Sequence, residues 1–293
     1  MLKTETPSTQ HTQLDEYSVD ALVDALIDDQ SAALRAVKAA TPSIRNAVHL
    51  MAPRIAAGGR LIYVGAGTSG RLGVLDSVEL FPTFSWPQER AVALLAGGLG
   101  AMFDAVEGAE DDRNKGACEL RLLYPSYNDV VLLVTASGTT PYVLGAMQAA
   151  YTIGSLTIGI ANNPATPLLS GVDVPILLDT GPEAISGSTR LKAGTAQKVV
   201  LNTLSSALMV RLHKVYGNLM VDLHATNDKL TRRAVNLTMH ATHADEDTAR
   251  TALEQCHYQV KVAIVMLLKK RTAEQAQALL DQSDGNVRKA LQQ

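Results

Sequence analysis

Cysteine is scarce in this chain: Cys118 and Cys256 are the only two among 293 residues. Two thiols cannot build a disulfide framework, and such scarcity suits a reducing compartment. Aromatic side chains make up 4% of the residues, too few for a surface on which nucleic-acid bases stack. An excess of positive charge is also missing. The formal net charge is −3, which leaves no basic footprint for DNA or RNA. No apolar run reaches the ~18 residues of a membrane span. The opening stretch MLKTETPSTQHTQLDEYSVD has no apolar core and does not read as a signal peptide. The cytoplasm is therefore the expected location.

What is present describes a globular α/β chain. Hydrophobic residues are 46% and charged residues 19% of the total. A chain of this length buries roughly three quarters of the surface it exposes when unfolded. Residues 1–18 are polar and read as a loose arm, or as a strap over a partner subunit. From residue 19 to 235, short apolar runs alternate with helical segments. RLIYVG, RAVALLAG, DVVLLVTAS, LTIGIANN and DVPILLDT read as five strands. The segment LGAMFDAVEGAEDDRNKGACELRLL between the second and third reads as helical. Continuous apolar strands separated by helices imply a parallel sheet covered on both faces. Residues 236–293 read as a small unit of three helices. Its stripe of Val260, Ile264, Leu267 and Leu268 is expected to face a core.

Gly65, Gly67 and Gly70 spell G-x-G-x-x-G after the first strand. A dinucleotide site also needs an acidic residue at the end of the next strand, to bond the ribose. That strand ends in LLAGG, with no carboxylate. The glycine loop carries Thr68 and Ser69 instead, hydroxyls that suit one phosphate monoester at a helix N-terminus. A second hydroxyl-rich loop, TASGTTPYV, follows the third strand with Ser137, Gly138, Thr139 and Thr140. A third, EAISGSTRLKAGT, follows the fifth with Ser186, Ser188, Thr189 and Lys192. Any one of them could be a helix cap. Three at strand C-terminal ends point to a phosphate site that includes Gly67. His240 and His243 are spaced to share a metal, but no third ligand follows, and they read as surface histidines.

These stretches resemble the sugar isomerase (SIS) family of phosphosugar-binding domains, and within it the N-acetylmuramic acid 6-phosphate etherases. The resemblance lies in GRLIYVGAGTSGRLGVLDSVE, AVEGAEDD, VTASGTTPYV, SGSTRLKAGTAQKVVLNTLSSALM and VYGNLMVDLHATNDKL, and extends to the C-terminal helices. It implies a three-layer α/β/α fold around a five-stranded parallel sheet, with a ubiquitin-associated-like C-terminal unit. It implies a carbon–oxygen lyase that needs neither metal nor redox cofactor and acts in peptidoglycan recycling. The D-lactyl ether at C3 of the sugar is cleaved by elimination and rehydration, giving N-acetylglucosamine 6-phosphate and D-lactate.

The family's acid matches Glu79 and its second catalytic glutamate matches Glu110, 31 residues later (79 to 110). Glu107 competes with Glu110 for that role, and Asp111 and Asp112 extend the acidic run. The resemblance also implies a homodimer with its pocket near the subunit interface. LFPTFSWP after Glu79 and GGLGAMFDA are more apolar than the family pattern, which affects the shape of the pocket. Two other functions use the same loops. A phosphosugar isomerase would give a ketose and no lactate. A phosphosugar-sensing regulator would need the hydroxyl loops but not Glu79.

Overall fold

The computed structural model describes residues 2–223 and 227–293, so residues 224–226 of the DLHATND stretch lie outside the description. After two short 3-10 turns in the arm, Lys3–Glu5 and Leu14–Glu16, come three α-helices: α1 (Val19–Asp29), α2 (Ser31–Ala39) and α3 (Thr41–Ala56). The sequence reads as one helical run there, but Pro42 cannot donate a backbone hydrogen bond, so a fresh helix starts with it in its first turn. Next come β1 (Leu61–Gly65), α4 (Gly67–Phe84), β2 (Ala91–Leu95), α5 (Arg113–Leu122), β3 (Val130–Val134), α6 (Pro141–Ile153), β4 (Leu156–Ala161), α7 (Pro167–Gly171), β5 (Val174–Leu177) and α8 (Lys192–Arg211). A two-strand ribbon, β6 (Val215–Tyr216) and β7 (Leu219–Met220), precedes α9 (Asp228–Thr242), α10 (Glu246–Gln255), α11 (Val260–Lys269), α12 (Ala273–Gln282) and α13 (Val287–Gln292).

The chain divides into two compact units. Met1–Val78 with Gln88–Ser205 form the first, and Glu79–Pro87 with Ser206–Gln293 the second. The first unit holds the five-stranded sheet, in the order β2-β1-β3-β4-β5, with every pairing parallel. All residues of β1, β3 and β4 are buried, as their unbroken apolar sequences require. One core layer joins Ile62, Val64, Val131 and Leu133 to Tyr142, Val143, Ala146 and Ala149 of α6. At the opposite end of the sheet from the strand C-termini, buried Asp129 accepts from the Arg60 guanidinium at 2.8 Å. It also accepts the Arg60 and Ser126 N–H groups, each at 2.7 Å. Burial raises its carboxyl, but the Arg60 and Ser126 donors outweigh that and hold it below the usual carboxylate range.

Two segments differ from their sequence reading. The helix expected after β2 is broken at Gly108, whose φ is +69°, and only α5 is regular. The polar arm is docked on its own chain. Thr4 is fully buried, its N–H donating to Asn163 Oδ1 at 3.3 Å and its Oγ1 accepting from Asn163 Nδ2 at 2.9 Å. Lys3 pairs with Asp179 at 2.5 Å.

In the second unit, residues 244–270 have a helical sequence pattern throughout but form two helices. The chain turns at His257 and Tyr258, both at positive φ, between α10 and α11. The helices α11, α12 and α13 pack on one another, and α9 and α10 pack on α11. Val260 and Ile264 are in this core and Leu267 is packed against it, whereas Leu268 is exposed.

Candidate functional site

β1 and β3 are neighbours, but β2 follows β1 on one side and β4 follows β3 on the other. The loops after β1 and β3 therefore part, and a crevice opens beyond the strand C-terminal ends. A cavity of about 370 Å³ lies there. Ala66, Gly67, Thr68 and Ser69 line it from the first loop, and Thr135, Ala136, Ser137, Thr139, Thr140 and Pro141 from the second.

The glycine fingerprint serves this geometry. A Cβ on Gly70 would stand 2.4 Å from Leu95 Cδ1 and 2.7 Å from the Gly65 carbonyl oxygen, so these residues let helix α4 press against the sheet. Gly67 takes φ +52° where α4 begins. In the second loop four hydroxyls cluster. Thr135 Oγ1 is 2.6 Å from Thr140 Oγ1 and 3.1 Å from Ser137 Oγ. Ser137 Oγ also accepts the Thr139 N–H at 3.1 Å. Hydroxyls can rotate to donate, and the N-termini of α4 and α6 add partial positive charge. Among the described residues no lysine or arginine lines the cavity. An anion held here would be held by hydroxyls, backbone N–H groups and helix ends.

Three carboxylates complete the lining: Glu5, Glu110 and Asp111. Glu110 lies in the single turn Ala109–Asp111 that follows Gly108. Asp112 is the N-cap of α5, accepting the Lys115 N–H at 2.9 Å, and Glu107 is exposed and outside the lining.

The structure thus brings together Gly67, Thr68, Ser69, Ser137, Thr139, Thr140 and Glu110. Gly138 shapes the second loop at φ +74° without lining the cavity. From the third loop Thr189 reaches the lining, while Ser186 and Ser188 do not. Lys192 is placed elsewhere: its ammonium pairs with buried Asp29 at 2.5 Å. Its N–H and that of Ala193 donate to the buried Glu183 carboxylate, at 3.1 and 2.9 Å. Glu79 is an exposed residue more than three turns into α4, in the second compact unit, and is not part of the lining. Sequence reasoning missed Glu5 and Thr135. Thr135 ends an apolar run at the strand terminus, a legible position, whereas Glu5 sits in a polar arm that carries no periodic signal.

The sheet order and the hydroxyl-lined cavity at its switch point are those of an open, doubly wound α/β domain, and a family model narrows the class to SIS-type domains. Residues 43–151 match the family model described as the glucokinase regulatory protein N-terminal SIS domain. A phosphoheptose isomerase from Francisella tularensis shares the fold, with a TM-score of 0.51 at 18% identity, over 66% of this chain and 98% of that one. The N-acetylmuramic acid 6-phosphate etherase of Deinococcus radiodurans is 57% identical over 99% of this chain and 95% of its own length. That of Serratia proteamaculans is 48% identical over 99% and 98%, and that of Geobacillus thermodenitrificans 45% over 99% and 99%. The chain belongs to the N-acetylmuramic acid 6-phosphate etherase family.

Proposed function

We propose that this chain is an enzyme that cleaves the D-lactyl ether of N-acetylmuramic acid 6-phosphate, releasing N-acetylglucosamine 6-phosphate and D-lactate. One observation carries the reading: full-length identity of 57% to an etherase, in a chain whose sheet-edge cavity sets hydroxyl donors beside Glu110. The 6-phosphate is held by Thr68, Ser69, Ser137, Thr139 and Thr140 over the ends of α4 and α6. With the ring open, a base takes the C2 proton. The C3–O bond breaks as an acid protonates the departing lactate oxygen, leaving a C2–C3 double bond. Water then adds its oxygen to C3 and a proton returns to C2. We assign this proton traffic to Glu110 and Glu79, with Glu79 as donor; Glu110 lines the cavity, whereas the role of Glu79 rests on the family resemblance alone. Such transfers are typically worth ~10²–10⁴ in rate.

The functional organisation we propose is a SIS unit and a C-terminal helical unit, paired as a homodimer. Apolar side chains left in water support the pairing: Val19 is 76% and Ile27 64% exposed on α1, and Val78 62% exposed on α4. Val78 lies one turn from Leu75, also exposed, on the face that carries Glu79. A partner over that face would take Glu79 out of bulk water. The exposed free thiol of Cys118 favours a cytoplasmic setting, and a role in peptidoglycan recycling goes with the proposed substrate. The test is incubation with N-acetylmuramic acid 6-phosphate, without added metal, and assay of both products. A ketose without lactate would select an isomerase, and binding without turnover a sensor.

A further inference from the structure

We propose that the docked N-terminal arm is part of the substrate site, with the Glu5 carboxylate accepting a hydrogen bond from a hydroxyl of the bound sugar phosphate. This rests on the etherase reading for the identity of the sugar. The arm is fixed at the site on several sides. Thr4 exchanges two hydrogen bonds with Asn163, and Asn163 Nδ2 also donates to the Ala136 carbonyl beside Ser137. Lys3 is tied to Asp179. Glu5, the next residue, lines the cavity with Glu110.

The position of Glu5 divides the cavity chemically. A Cβ on Gly187 would stand 3.3 Å from Glu5 Oε2, so the carboxylate lies against the loop after β5. Ser186 Oγ makes a long contact, 3.5 Å, with the Glu5 carbonyl oxygen. Of the three hydroxyl-rich loops, that third one therefore faces a carboxylate and is a poor place for a phosphate dianion. The loops after β1 and β3 take the anion, and the end toward Glu5 takes a neutral group that donates. A sugar hydroxyl is such a group, and a hydrogen bond to an ionised carboxylate is among the stronger ones. Among the described residues, the polar contacts of Glu5 are through its backbone, and its carboxylate is seen in no ion pair.

The experiment compares wild type with Glu5→Gln and Glu5→Asp, measuring binding of N-acetylglucosamine 6-phosphate and of inorganic phosphate by calorimetry, together with lactate release. Glu5→Gln is expected to weaken sugar-phosphate binding and lower kcat/KM by about 10- to 100-fold. Phosphate affinity should stay the same or rise, the unfolding midpoint should hold, and Glu5→Asp should recover part of the loss. Unchanged sugar-phosphate binding in Glu5→Gln would overturn the proposal. So would a tightening of both ligands, which would make Glu5 only a repulsive charge. If wild type binds sugar phosphate but releases no lactate, the etherase reading fails, while the binding comparison still decides the role of Glu5.

Discussion

Ser137 shows how much depends on single hydroxyls here. It gathers the Thr139 N–H and lies within 3.1 Å of Thr135 Oγ1, so its oxygen is held at the centre of the cradle. With no lysine or arginine in the described lining, each donor bears a larger share of the phosphate charge. Ser137→Ala should weaken N-acetylglucosamine 6-phosphate binding by ~1.5–3 kcal/mol, roughly 10- to 150-fold. Calorimetry with unchanged affinity would remove Ser137 from the cradle. Lys192 makes the converse point. A lysine at a helix start after a hydroxyl-rich loop reads as a phosphate ligand, but the structure gives its ammonium to Asp29, 163 residues earlier in the chain. Sequence spacing carries no information about a partner so remote.

At the scale of elements, the sheet and its edge were legible because local rules and the global fold agree. Five apolar runs became five parallel strands, and the loops after β1 and β3 carry the glycines and hydroxyls that the switch point exposes. What was not legible lacked a periodic signal. The AVEGAEDD segment has helix-forming composition, but Gly108 at positive φ sets Glu110 in an isolated turn. The arm is polar throughout, and its docking depends on a buried Thr4–Asn163 pair that no pattern announces. The far edge of the sheet offers a stability test. Asp129 joins the starts of β1 and β3, and its folded-state pKa is held below the unfolded value. Its contribution is therefore complete above the unfolded pKa, near 3.9, and disappears as pH falls through the lower folded value. Asp129→Asn should cost about 3 kcal/mol at pH 7, because Arg60 loses its charged partner. In chemical denaturation the gap from wild type should shrink below about pH 4. A gap that stayed constant down to pH 2 would show that the ion pair is not its source.

For the whole molecule, the exposed apolar faces of α1 and α4 and the position of Glu79 bear on assembly. Sedimentation should give twice the 31.2 kDa chain mass, and Leu75→Glu with Val78→Glu should return it to a single chain. A single-chain mass for the wild type would remove the dimer. The most direct test of the account is D-lactate release from N-acetylmuramic acid 6-phosphate by the purified protein, beside Glu79→Ala and Glu110→Gln. Wild type should give stoichiometric lactate and N-acetylglucosamine 6-phosphate, and each variant should turn over at least ~100-fold more slowly with sugar-phosphate binding retained. Absence of lactate from wild type, or near-normal turnover in both variants, would contradict it.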